Sequence, residues 1–224
     1  MRYVTVIPAR GGSKRLPGKN THALCGKPLI CHSIDYSLRH PQIVGTYVSS
    51  DAEDIKQISK ARGAEIIDRP KELADDYATT AAAMKHAVQW LMDKKVEFDC
   101  VVLLQATNPL RPKGLLEEAI QIMEEGKNDS LFTVNRSEKK LGKIVDGKFV
   151  PWNYKFGQRS QDLEPLYYEN GLLYITKKEM LLQEVIEGHT AYPMVVDHPF
   201  GEVDIDTLED FHFAEYMLKE YGNE

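Results

Sequence analysis

Over the first 135 residues the spacing of apolar and polar positions switches repeatedly between two periods. Residues 4–7 are mostly apolar and β-branched and read as a strand, and residues 29–38 carry apolar side chains at helical spacing. Residues 46–49 form a second strand that ends before Asp51. The helix over 52–61 is stopped by Gly63, as a glycine just past a helix C-terminus does. A short strand over 65–67 follows, and then a helix over 79–92 that sets Ala83, Ala87, Val88 and Leu91 on one side. Residues 100–104 form an unbroken apolar strand, the pattern of a strand covered on both faces. Residues 115–123 read as helix and 131–134 as strand. This alternation predicts an α/β fold, a mostly parallel sheet flanked by helices.

After Arg136 the alternation stops. Residues 139–165 are polar and carry Trp152, Tyr154 and Phe156 with little regular periodicity, and Asp146-Gly147 marks a hairpin turn. A long irregular segment inside a compact domain is usually functional or an interaction arm, here at about 139–168. Strand character resumes over 171–175. Asp204 and Asp206 sit at alternate positions of a further extended segment. The last helix sets Leu208, Phe211, Ala214, Leu218 and Tyr221 on one face. With no internal repeat and no low-complexity tract, residues 1–224 read as one domain with an excursion.

Ligands of parallel sheets bind at the carboxyl ends of the strands. Three polar loops lie at such ends: residues 8–20, Ser49-Ser50-Asp51, and Gln105-Ala106-Thr107-Asn108. The first packs Arg10, Lys14, Arg15 and Lys19 among Gly11, Gly12 and Gly18. Glycines let the backbone approach an anion and aim N–H groups at it, while Arg and Lys neutralise charge, so the loop suits a polyphosphate. The rival reading is a solvated basic turn. The spacing is neither that of a Walker loop nor G-x-G-x-x-G.

Composition sharpens this picture. The chain has 224 residues and a net charge of −6, which argues against a nucleic-acid binder and leaves the loop as a local positive island suited to a small anion. No apolar run approaches the roughly 20 residues needed to cross a bilayer, and no basic-then-apolar segment opens the chain. Three cysteines, Cys25, Cys31 and Cys100, form no C-x-x-C pair, which predicts free thiols in a reducing cytoplasm. The seven histidines lack zinc spacing and no G-x-S-x-G occurs.

Other candidate groups each carry a bland alternative. Asp204 and Asp206 on one face of a strand suit Mg²⁺, which takes few protein ligands. Alternatively Asp206 is a helix N-cap, with Thr207 and Asp210 competing for that role. Arg69-Pro70 through Thr79-Thr80 is either a base-recognition loop or an ordinary loop with a cap. Gln105 at a strand end suits a hydroxyl-rich substrate, while Pro109 and Pro112 enforce a rigid turn into a helix. Arg159 could clamp a carboxylate in bidentate fashion or could lie free on the surface.

Taken together, Pro8-Ala9-Arg10-Gly11-Gly12-Ser13-Lys14, Pro17-Gly18-Lys19-Asn20, Val48-Ser49-Ser50-Asp51, Arg69-Pro70 with Leu73-Ala74, Leu104 to Arg111, Glu169-Asn170-Gly171 and Asp204-Ile205-Asp206-Thr207 resemble the motifs of the acylneuraminate cytidylyltransferases, the CMP-sialic acid synthetases. They fall in family order and span nearly the whole chain. The resemblance implies a Rossmann-like nucleotidyltransferase fold, CMP transfer from CTP to the anomeric 2-hydroxyl of a nonulosonic acid with release of pyrophosphate, a Mg²⁺ requirement, and a homodimer whose arm helps build the partner's sugar site. Carried over, Arg10, Lys14 and Lys19 hold the triphosphate. Ala9, Gly11, Asn20, Arg69, Ala78 and Thr80 complete the nucleotide site. Gln105, Asn170 and Arg159 serve the acid, with Arg159 coming from the other subunit and meeting the carboxylate. Asp204 and Asp206 hold the metal. Arg10, Lys19 and Asp206 are the catalytic set.

No side chain stands out as the base; a metal-bound water or one Asp of the pair is expected to take the sugar proton. Gln105 in its context fits the sialic and legionaminic branches better than the pseudaminic branch. Tyr167-Tyr168-Glu169 stands where many sialic acid enzymes have an Arg, which opens the alternative of legionaminic acid or another diamino analogue. The related 3-deoxy-manno-octulosonate enzymes rank lower because they lack Gln105-Ala106-Thr107. A reading of another class is a catalytically silent nucleotide-binding module, which would not need both Asp204 and Asp206.

Overall fold

The structure, a computed structural model, describes residues 1–222. Its strands are β1 (Tyr3–Pro8), β2 (Ala23–Leu24), β3 (Lys27–Pro28), β4 (Ile43–Ser50), β5 (Glu65–Asp68), β6 (Cys100–Leu103), β7 (Ser130–Ser137), β8 (Gly142–Val145), β9 (Lys148–Pro151), β10 (Leu166–Lys177) and β11 (Ala191–Val195). The helices are α1 (Leu29–Leu38), α2 (Glu53–Ala61), α3 (Thr80–Asp93), α4 (Leu115–Glu125), α5 (Lys178–Leu181) and α6 (Leu208–Tyr221). Seven strands form one sheet in the order β11-β7-β10-β6-β1-β4-β5. Neighbours pair in parallel except β10, which runs against both β6 and β7.

Alternation along β1 sorts the two faces. Tyr3 and Ile7 pack with Ile30 and Ile34 of α1, Ile55 of α2, and Leu116 and Met123 of α4. Val4 and Val6 point the other way, to Met84, Ala87, Val88 and Leu91 of α3. β6, at the centre, is buried on both sides from Cys100 to Leu103, as its unbroken apolar run predicts. Truncating a side chain such as Leu116, which is fully buried, costs about 2–5 kcal/mol in a layer of this kind. A third cluster docks α6 through Phe211, Ala214 and Met217 against Leu24, Leu29, Phe200 and Ile205. This places the segment before α6 across the carboxyl ends of the strands.

Four expectations are corrected. The apolar face of α6 omits Leu208, which is 47% exposed at the first turn beyond the edge of the core, and includes Met217. Residues 203–206 form no strand. Their backbone is instead held by loops, with the Ile205 N–H donating to Thr107 O at 2.9 Å and the Asn108 amide donating to Val203 O at 2.9 Å. The segment expected to be irregular holds an ordered hairpin of β8 and β9, turning at Asp146 and Gly147 with φ of 49° and 72°. Finally, β10 starts at Leu166 rather than 171, pairing residues 166–169 with β7 before its register shifts between Glu169 and Tyr174. Gly171, at φ 72°, turns the chain inside that bulge, which breaks the period-two pattern that would have betrayed the strand.

Candidate active site

The carboxyl ends of β1, β5 and β6 open into a cleft of about 570 Å³. Ala9, Arg10, Lys14, Lys19, Asn20, Arg69, Ala78, Thr80, Gln105 and Asp206 all line it. The loop after β1 is anchored at its start by the Ala9 N–H donating to Ser49 O at 3.0 Å. Asn20 ties its far end back, donating to Arg10 O at 3.0 Å. Gly11 is placed differently from the expectation. Its N–H donates to Asp51 Oδ1 at 3.0 Å, and a Cβ there would sit 2.6 Å from that of Ala52, so this glycine lets the loop pack on α2 rather than lining the cleft.

Each cation of the loop meets a carboxylate. Lys19 is 8% exposed, and its Nζ donates to Ile205 O at 2.7 Å and to Asp206 Oδ1 at 3.0 Å. Arg15 pairs with Asp206 Oδ2 at 2.9 Å. Arg10 donates to Asp75 O at 2.7 Å and Asp76 Oδ1 at 3.3 Å, and Lys14 pairs with the same Asp76. The Lys14 hydrogen bond, with Arg10 beside it, holds the Asp76 carboxyl below its ordinary value. Asp76 thus sits where two cations would meet an incoming anion. Arg69 is 8% exposed and donates to Ser49 Oγ at 3.1 Å and Ser49 O at 2.7 Å, bracing the end of β4. Burial pushes its guanidinium down to about 10, and nearby Arg10 adds to this while Asp51 opposes it. Thr79 caps α3, accepting from the Ala82 N–H at 3.1 Å, and leaves Thr80 exposed at the rim.

Gln105 borders a second cavity of about 420 Å³, lined also by Lys139, Tyr168, Glu169, Asn170, Glu202 and Asp204. Asn170, expected to bind substrate, is 5% exposed and holds the β10 bulge. Its Oδ1 accepts from Thr133 Oγ1 at 2.6 Å and from the Leu172 N–H at 3.1 Å, and its Nδ2 donates to Asn135 Oδ1 at 2.6 Å. Arg159 reaches neither cavity. It lies on the arm in an ion pair with Asp162, at 2.8 and 3.0 Å, on a side chain that is 69% exposed. Lys139 and Glu202, which sequence reasoning passed over, carry no local pattern; only the packing of β7, β10 and the segment before α6 brings them to Tyr168.

The expected shared face of Asp204 and Asp206 is not kept, because no strand sets it: Asp206 borders the first cleft and Asp204 the second cavity. The cap is Thr207, in a reciprocal capping box with Asp210, so Asp206 is free of that role. Desolvation, and then the charge of Asp206, pushes the Asp204 carboxyl up from its ordinary value, while a Thr107 hydrogen bond and Lys19 oppose this. A repelled carboxylate pair is what a divalent cation relieves. Among the described residues no group of three or more His, Cys, Asp or Glu side chains is placed to hold a metal. The pair therefore fits an ion whose shell is completed by phosphate oxygens and water, which is how Mg²⁺ is usually held.

Residues 4–222 match the family model described as cytidylyltransferase. The chain belongs to the cytidylyltransferase family. This cytidylyltransferase is 33% identical to a pseudaminic acid cytidylyltransferase of Campylobacter jejuni, over 98% of its own length and 97% of the relative's. It is 34% identical to an N-acylneuraminate cytidylyltransferase of Streptococcus agalactiae over its full length, but spans only 56% of that longer relative. To a CMP-N,N'-diacetyllegionaminic acid synthase of Legionella pneumophila it is 32% identical, with 98% and 97% covered. Among solved structures, a CMP:2-keto-3-deoxy-manno-octonic acid synthetase complexed with CTP shares the fold, with a TM-score of 0.70 at 18% identity over 98% of this chain and 99% of the other. The protein is accordingly a nucleotidyltransferase on a Rossmann-like fold.

Proposed function

We propose that the enzyme transfers CMP from CTP to the anomeric 2-hydroxyl of a nonulosonic acid and releases pyrophosphate. The observation that carries this reading is the meeting of two cavities at Gln105, one lined by cations and the other by hydroxyl, amide and carboxylate groups. CTP places its triphosphate against Arg10, Lys14 and Lys19, displacing Asp76 from the first two. Arg69, Asn20, Ala78 and Thr80 shape the nucleoside end. Gln105 orients the acid so that its hydroxyl faces the α-phosphorus. Attack there is an in-line displacement, so the residues contribute mainly by positioning and by stabilising charge on the departing pyrophosphate. Lys19 is the strongest candidate for that charge, because burial excludes water from a cation already fixed by Ile205 and Asp206. Asp204 and Asp206 would hold Mg²⁺, which when bound neutralises phosphate charge.

The acid's carboxylate needs a cation. Lys139 lines the second cavity, and Arg159 would add to it from the arm of a second copy. The arm suits a homodimer: Ile144 is 72%, Trp152 63% and Phe156 72% exposed, an apolar surface that a lone chain leaves in water. The three free cysteines accord with a cytoplasmic enzyme, and no described helix is long and apolar enough to cross a membrane. Identities of 32–34% to pseudaminic, sialic and legionaminic acid enzymes do not rank the sugars, so the preference for Gln105-bearing branches stays a proposal. The test is pyrophosphate release from CTP and Mg²⁺ with a panel of sialic, legionaminic and pseudaminic acids. Release with at least one acid is expected. CTP binding without release for any acid would instead favour a silent nucleotide-binding module.

A further inference from the structure

The second cavity holds an unusual balance of hydrogen-bonding groups. A phenol has one hydrogen to donate. Tyr168 spends its own on Glu202, and Tyr174 spends its own on Glu169 Oε2 at 3.2 Å. Asn108 spends both amide hydrogens, on Asn170 O and Val203 O, each at 2.9 Å. Glu202 also faces the Asn135 amide at 3.4 Å, on the same oxygen that Tyr168 uses. What remains toward the cavity is one oxygen of Glu169, one of Glu202, the Asp204 carboxyl and the lone pairs of both phenols. The side-chain donors left are Lys139, Gln105 at the border with the first cleft and one amide hydrogen of the buried Asn170. Between these donors lies a wall whose side chains can only accept.

Burial, reinforced by Glu202, pushes the Tyr168 hydroxyl up to about 12, so the phenol keeps its proton and its bond through the neutral range. The phenol's single hydrogen thus stays on Glu202 and is not offered to the cavity.

We infer that Glu169 and Glu202 select the acid by its hydrogen-bond donors, accepting from free hydroxyl or amide N–H groups and rejecting O-acylated forms. This rests on the reading of the second cavity as the acid's site. An ester at one of these positions loses the hydrogen and presents only lone pairs to a carboxylate. A polar group left facing a like partner typically costs a factor of about 10–100 in a site built to bond it. Glutamine in place of either glutamate keeps the shape and supplies an N–H for the ester carbonyl.

The experiment measures kcat/KM for N-acetylneuraminate against its mono-O-acetyl esters, and for the same pair made from whichever panel acid turns over fastest. It uses the full chain and its Glu169→Gln, Glu202→Gln and double variants. The ratio of free acid to ester is taken within one enzyme preparation, so a loss of folded protein cancels. We expect a ratio of at least about 10 in the wild type for one or more ester positions, and a fall of at least about threefold in a variant. Equal use of ester and free acid by the wild type would overturn the inference. So would a ratio that all three variants leave unchanged, since steric exclusion alone would give that result. Failure of every free acid to release pyrophosphate would count against the proposed reaction instead.

Discussion

The two cavities share Gln105 and little else, and they are built by different means. The first cleft is built mainly from two stretches, residues 8–20 and 69–83, with the end of β6 beside them, and all but one of its cations come from the first. Its cations are close in sequence, so their charges converge wherever the loop goes. The second cavity draws Lys139 from the start of the arm, Tyr168 and Glu169 from β10, and Glu202 and Asp204 from the segment before α6. None of these lies near another in the chain beyond Tyr168–Glu169 and Glu202–Asp204. A cluster of cations can thus be carried by a motif, whereas the lining of the second cavity is a product of strand order.

The largest expected effect is at the cleft. Lys19→Met removes the buried cation that touches Ile205 and Asp206, and kcat should fall by about 10²–10³ with the KM for the acid nearly unchanged, read by steady-state pyrophosphate release. A variant that instead raised only the KM for the acid would erase the division between the two cavities. Gln105→Ala should act on the other side, raising the KM for the acid by about 10-fold or more and leaving the KM for CTP within a few-fold.

Arg111 tests the link between the regions. It is 7% exposed and has no carboxylate partner among the described residues, and burial pushes its guanidinium down to about 10. Its Nε donates to Leu172 O at 2.6 Å, beside the β10 bulge, and its two other nitrogens donate to Ser33 Oγ and Gln105 O at 3.0 Å. Arg111→Met should cost about 2 kcal/mol in urea unfolding and raise the KM for the acid more than that for CTP. Equal losses for both substrates would show that the bulge and the cleft move as one.

The smallest effect is expected remote from both cavities. Burial raises the Asp35 carboxyl, but hydrogen bonds from Arg62 and Lys27 outweigh this and hold it at about 2. A carboxyl held below its ordinary value contributes stability that is full above that ordinary value and is lost as pH falls toward 2. Asp35→Asn should therefore cost about 1 kcal/mol near neutral pH, and the difference from wild type should shrink as pH falls from about 4 toward 2, with substrate KM values unmoved. A persistent difference in acid would mean that packing, not charge, holds α1 at that point.

Much of the frame was legible because local rules agree with the tertiary ones. The helix over 29–38 is observed with those bounds, Gly63 stops α2 at φ 99°, and Asp146-Gly147 turns the β8–β9 hairpin. Legibility failed where backbone geometry departs from a period. The first five residues of β10 escaped because the bulge at Gly171 puts the strand out of phase with itself. Leu208 has helical spacing but hangs beyond the core that α6 meets. Asp204 and Asp206 were expected on a strand, yet loop hydrogen bonds at Val203 and Ile205 hold that backbone.

The sequence by itself determined the α/β order, the cation- and glycine-rich loop and the family, because periodicity, glycine placement and clustered cations are local properties. The tertiary structure decided what each side chain is free to do. It turned Gly11 into a packing position, put Asn170 to holding the bulge, left Arg159 on the arm in a pair with Asp162, and parted Asp204 from Asp206 between two cavities. The reason is that a side chain's chemistry depends on which of its donors and acceptors are already satisfied, and those partners come from elements distant in the chain.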